Sequence, residues 1–267
     1  MIRAAHPVLA TLLVLFVLLP AAMAAAQDGY DPSLDRKRYE GCVGAIPTDA
    51  AAAEQFAVEW QAMGGGLPAR HCQALAQLER GRPAAAAQTL AKAAQAAEAG
   101  KSPQAADFWG QAGNAALLAG DAKRAVADFN SAIVAAGEFA PIRTANLLID
   151  RARAHVELAA LAAARADLDR ATGLAPNEPS GWLLSAALAR RQGDLPRARA
   201  QIARAAALAP ADPDILFEQG SIAAEAGDPA EARRLWDQLV QTAPASEAAR
   251  LARAALADTM ARESFSP

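Results

Sequence analysis

Along most of the chain, small and apolar residues fall three and four apart, and Gly-Asp pairs or prolines break the pattern at regular intervals. That spacing belongs to amphipathic helices, and no stretch alternates β-branched residues as a half-buried strand would. From Ala145 onward the pattern has a period of 34 residues, with copies starting at Ala145, Pro179 and Pro213. Pro176, Pro210 and Pro244 close the copies, Ala164, Ala198 and Ala232 share one phase, and Gly193-Asp194 and Gly227-Asp228 share another. A fixed period of this length predicts a row of identical supersecondary units, each too thin to bury its own apolar face, in place of one closed core.

Within a unit, the pattern predicts a helical hairpin. Gly takes the left-handed conformation that ends the first helix, and Asp accepts from the free N–H groups that start the second. Pro after the second helix forbids its continuation. With each start numbered 1, position 8 holds Ala152, Ala186 and Gly220, and position 20 holds the three alanines above. Small residues there let the two helices approach. Position 24 holds Leu168, Ile202 and Trp236 and is expected to act as a knob into the neighbouring hairpin. Two earlier units start near Leu67 and Ala106, each 39 residues before its successor. They carry Ala74 and Gly113 at position 8, and Leu90 and Phe129 at position 24. Ser102-Pro103 and Pro141 lie in the inserts, and Pro suits the first turn of a helix.

These residues resemble the tetratricopeptide repeat, whose pattern places Trp at position 4, Leu at 7, Gly at 8, Tyr at 11, Ala at 20, Phe or Tyr at 24, Ala at 27 and Pro at 32. Trp109 and Trp182 stand at position 4, and Ala132, Ala171 and Ala205 at 27. The chain departs from the family at position 7, which is mostly not Leu, at position 11, where Gln77, Ala116, His155, Ala189 and Ala223 replace Tyr, and at Ala159-Ala160, where Gly-Asp is missing. The resemblance implies an all-α, right-handed superhelical α-solenoid of antiparallel helix pairs. Five hairpins are expected over residues 67–246, starting near 67, 106, 145, 179 and 213. A helix over 49–66 precedes them, with Asp49 as its cap. An amphipathic helix over 246–262 covers the last hairpin, as repeat arrays require.

Ahead of the repeats, residues 27–48 hold Asp, Gly and Pro and are expected to be irregular. Residues 1–26 read as a signal peptide: Arg3, then an apolar run from Val8 to Leu19, then Pro20 and small residues through Ala26. The run is short against the ~20 residues of a bilayer-spanning helix. The protein is therefore expected to be exported to the periplasm, with membrane contact only if the leader stays uncleaved. Cys42 and Cys72 are the only cysteines, and an even count in an exported chain reads as a disulfide.

Composition narrows the function. The formal net charge is −3, with no long basic stripe of the kind that nucleic-acid binders carry. No His-Glu-x-x-His, nucleophile elbow or phosphate loop occurs, so neither catalysis nor a metal or other cofactor is expected. The resemblance implies a scaffold or adaptor for a protein or peptide partner, in envelope assembly, division or secretion. A membrane-tethered assembly factor is the alternative, and an enzyme's accessory subunit a remote one. By the same resemblance the concave groove is lined by first-helix residues: His71, Asn114, Leu117, Asn146, Ile149, Arg153, Val156, Leu183, Arg190, Arg191 and Phe217.

Overall fold

The computed structural model describes residues 31–137 and 139–264, and side chains up to 258. The expected signal peptide lies outside these residues. After one 3-10 turn, twelve α-helices follow: α1 (Asp35–Ala62), α2 (Gly66–Glu79), α3 (Pro83–Ala99), α4 (Ala105–Leu118), α5 (Ala122–Ala136) and α6 (Pro141–Glu157), then α7 (Leu161–Leu174), α8 (Pro179–Arg191), α9 (Leu195–Leu208), α10 (Pro213–Glu225), α11 (Pro229–Thr242) and α12 (Glu247–Ser264). Among the described residues there is no strand. Each helix packs on its neighbours in sequence, and α4, α6, α8 and α10 also touch one another in turn. The buried residues form five successive clusters, each confined to adjacent hairpins. This is an all-α solenoid.

The N-terminal segment differs from expectation. Residues 35–48 are helical, not irregular, and form the first arm of α1. The apolar stripe that drives this is Tyr39, Cys42, Val43 and Ile46, a helical spacing that Gly41, Gly44 and Pro47 obscure in the sequence. At Asp49 the backbone leaves the helix (φ −151°, ψ 80°). The Asp49 carboxylate then accepts from the Ala52 N–H at 2.9 Å, capping the second arm. The arms fold back on each other. Trp60 Nε1 donates to Asp35 Oδ1 at 3.3 Å, whereas a straight helix would hold these residues ~37 Å apart. α1 thus adds a helical hairpin ahead of α2. The Cys42–Cys72 disulfide, with Cα atoms 6.3 Å apart, ties its first arm to α2.

Inside each hairpin, positions 8 and 24 are matched in size. A Cβ added to Gly113 would lie 2.7 to 2.8 Å from three ring atoms of Phe129, and one added to Gly220 would lie 2.3 Å from Trp236 Nε1. Position 24 therefore fills the space over position 8 of its own hairpin, where the sequence pattern placed it against the neighbour. Where position 24 is an aromatic ring, position 8 is Gly. Where it is Leu90, Leu168 or Ile202, position 8 is Ala74, Ala152 or Ala186, in the same buried cluster as its partner. A branched aliphatic side chain leaves room for one methyl group, and an aromatic ring leaves none.

The turns within hairpins follow the same economy. Gly81, Gly120, Gly193 and Gly227 all have φ between 68° and 79°. Asp121, Asp194 and Asp228 then accept from the N–H of Arg124, Arg197 and Glu231 at 3.0 to 3.2 Å. Between α6 and α7, Ala159 is itself driven to φ 55°, and Ala160 supplies no cap. The inserts lengthen helices. α3 and α6 each run 17 residues, against 13 in α8 and α10. Pro141 opens α6, as expected, whereas Pro103 lies in the turn before α4.

Candidate functional site

Because first helices stack beside one another, the grooves between them form a continuous face. Three clefts run along it from α4 to α8. One of about 510 Å³ lies between the N-terminal halves of α4 and α6, lined by Asp107, Asn114, Arg143, Asn146 and Asp150 among others. A second of about 510 Å³ lies further along, lined by Asn114, Leu117, Leu118, Arg153 and Glu157. A third of about 210 Å³ lies between α6 and α8, walled by Ile149, Val156, Leu184, Ala187 and Leu188, with Arg153, Glu157 and Arg191 on its lining. Asn114 belongs to the first two clefts, and Arg153 and Glu157 to the last two, so the clefts share walls.

Of the eleven residues picked from the sequence, seven come together here: Asn114, Leu117, Asn146, Ile149, Arg153, Val156 and Arg191. Asn146 and Arg191 are exposed, and Ile149 is buried. Asn114 Nδ2 donates to Asp150 Oδ2 at 3.2 Å, and Arg153 pairs with Asp150 Oδ1 at 3.0 Å. Burial pushes the Asp150 carboxyl up, and these two partners act against the shift.

The other four make contacts within the fold, and His71 also lines a separate cleft of about 350 Å³ with Tyr39, Leu67, Gln104 and Phe108. His71 is wedged between helices: Tyr39 Oη lies 2.7 Å from Nδ1, and Gln111 Oε1 lies 2.8 Å from Nε2. The amide oxygen accepts, so Nε2 carries the proton and Nδ1 accepts from the phenol. The Tyr39 ring stacks on the imidazole and Phe108 meets it edge-on. Burial lowers the His71 pKa, against the hydrogen bond to Gln111, and so favours the neutral ring. Leu183 packs into the α8–α10 cluster, and Phe217 stacks on Trp236. Arg190 donates to both oxygens of Glu218, at 2.7 and 3.2 Å, and also binds Glu225. Burial opposes the charge on Arg190, yet the two carboxylates hold its pKa above the ordinary value. Burial raises the Glu218 carboxyl, partly offset by Arg190.

Glu157, Leu184, Ala187 and Leu188 were missed. Glu157 was legible, since it stands at position 13, as Arg191 does. Ala187 was legible too, since it stands at position 9, as Asn114 and Arg153 do; Leu184 and Leu188, at positions 6 and 10, were not. A small cluster lies apart from the clefts. Arg151 grips Asp167 at 2.5 and 2.8 Å, and His155 Nε2 lies 3.7 Å from the same carboxylate. His155 Nδ1 is buried without a partner, and no Ser, Thr or Cys side chain among the described residues bonds to the ring. No group of three or more His, Cys, Asp or Glu side chains among them is placed to hold a metal ion. No described helix is long and apolar enough to cross a membrane.

No protein-family model matches the sequence, and no curated protein matches it. Solved structures do resemble it. PilW, a widely conserved type IV pilus biogenesis factor, aligns with TM-score 0.64 at 15% identity, over 83% of this chain and 99% of its own. PilF of Pseudomonas aeruginosa gives 0.61 at 16% identity, over 83% and 97%. TTC0263, a thermophilic TPR protein of Thermus thermophilus, gives 0.57 at 17%, over 72% and 99%. At such identities the likeness speaks to architecture alone. The stacked hairpins, the small residue under each position-24 side chain and these alignments agree: the chain has the tetratricopeptide-repeat fold.

Proposed function

We propose that this protein is a non-catalytic, exported scaffold that receives a segment of a protein partner along its first helices, in envelope assembly, division or secretion. One observation carries the reading. Three clefts with shared walls open side by side on α4, α6 and α8, and Leu118, Asn146, Glu157 and Arg191 line them as exposed side chains. A preformed apolar groove with a few polar groups is how a rigid protein recognises a ligand at low ordering cost. The disulfide supports export, because such bonds persist in oxidising compartments. The biogenesis role named for PilW sets one protein of this fold at the envelope, and that setting is carried over as part of the proposal.

Photo-crosslinking in cells tests it. A crosslinker at Val156 is expected to capture a defined protein, and one at Lys92, exposed on the second helix α3, is not. Capture is expected to vanish when Ala187→Trp fills the α6–α8 cleft. Equal adducts from both positions would overturn the reading. Mass spectrometry of the native N-terminus checks export: a start near Gln27 is expected, and an intact Met1 would favour the tethered alternative.

A further inference from the structure

The groove's own chemistry narrows what it accepts, given the reading above. Arg190 and Arg191 are adjacent, yet their surroundings are opposite. Arg190 is neutralised by Glu218 and Glu225. Arg191 is exposed, lines the α6–α8 cleft, and has no ion pair or hydrogen bond among the described residues. Arg153 stands in the wall that the α4–α6 and α6–α8 clefts share. Its one partner is Asp150, and its side chain remains 55% exposed. Apolar surface lies on either side of Arg153: Leu117 and Leu118 toward α4, and Ile149, Val156, Leu184 and Leu188 toward α8. Leu118 is 72% exposed, a large cost in water for a leucine with no neighbour over it.

We propose that these two clefts take a peptide segment with two bulky apolar side chains flanking at least one carboxylate, the carboxylate lying between Arg153 and Arg191. Each apolar side chain fills one cleft. The guanidinium groups supply N–H donors in the fork geometry that matches a carboxylate. Glu157, on the lining of both clefts, disfavours a second acidic residue near it and sets the segment's direction.

The test is selection from a random dodecapeptide display library on the purified protein, counter-selected against Ala187→Trp. Enrichment of apolar–acidic–apolar sequences is expected. A selected peptide, labelled with fluorescein, is then measured by anisotropy. Arg191→Glu is expected to weaken binding by ~10-fold or more, and Arg191→Lys by less than Arg191→Glu, since Lys keeps the charge and loses the fork. Leu118→Asp, at a side chain too exposed to disturb the fold, is expected to weaken binding comparably. Salt is expected to lower the affinity. Selected peptides that are basic or uncharged, or affinity indifferent to Arg191→Glu, would overturn this inference and leave the groove reading standing. Recovery of no peptide that distinguishes the wild type from Ala187→Trp would overturn both.

Discussion

The size match between positions 8 and 24 predicts that one substitution will change sign with its surroundings. Gly→Ala in a helix interior is ordinarily stabilising by ~0.5–1 kcal/mol, because Ala loses less backbone entropy. Gly44 tests that term alone: it is exposed, and a Cβ there meets nothing within 4 Å. At Gly113 the same Cβ meets Phe129 ring atoms at 2.7 to 2.8 Å. Carbon contacts are comfortable at ~3.5–4.0 Å, so the ring must withdraw by nearly 1 Å. Phe129 is 0% exposed and has nowhere to go. Overpacking of this kind costs ~1–3 kcal/mol. Gly113→Ala should therefore destabilise by ~1 kcal/mol net, and Gly44→Ala should stabilise. In a Phe129→Leu background the hairpin acquires the Ala/Leu pairing found at Ala152 and Leu168, and Gly113→Ala should become stabilising there. Urea unfolding followed by circular dichroism, on the four members of the cycle plus Gly44→Ala, measures these signs. A stabilising Gly113→Ala in the wild-type background, or no coupling to Phe129→Leu, would refute the size match.

Four further outcomes are expected. Replacing Cys42 and Cys72 together by Ser should lower stability by ~3–4 kcal/mol on the chain-entropy estimate, with hydrogen exchange rising first in α1, the terminal hairpin. The pair Ala159→Gly and Ala160→Asp should raise stability by ~1–2 kcal/mol in denaturant titration, relieving the left-handed alanine and adding the missing cap. His71 has a depressed pKa when folded, so the unfolded chain binds its proton first; its contribution is intact above the ordinary His value of ~6.5 and is lost as pH falls through that value toward the folded pKa. The stability difference between wild type and His71→Gln should accordingly shrink over that window, and a difference flat with pH would count against the neutral buried ring. Arg190→Ala should cost ~3 kcal/mol near neutral pH by stranding the buried Glu218 carboxylate, and the cost should ease in acid, where Glu218 takes up a proton.

Arg190 also shows how far the groove could be read from residues alone. Its position along the first helix equals that of Val156, which does line a cleft. What removes it from the groove is Glu218, 28 residues away on the next hairpin. His71 is likewise engaged by distant residues, Tyr39 on a helix that the glycines and Pro47 of residues 41–47 conceal and Gln111 on α4, and it faces a separate cleft beside α1. A binding experiment that altered Arg190 together with Arg191 would confound loss of fold with loss of contact, so Arg191 alone is the informative site.

The repeat architecture was determined by the sequence itself, because every requirement of a hairpin is local. The turn glycines, the capping aspartates, the prolines and the small residue at position 8 each act within one unit, and a period of 34 residues makes them visible. The cysteine count likewise indicated a bridge, since only one pairing exists. Tertiary structure alone decided the folding back of α1 at Asp49, the partner of position 24, and which first-helix side chains stay open. The first two depend on contacts between the two arms of one hairpin, and the third on what the adjacent hairpin brings into contact. The carboxylates that engage Arg190, and the phenol and amide that hold His71, lie 28 to 40 residues away in sequence, brought together by the stacking of helices and not by the period.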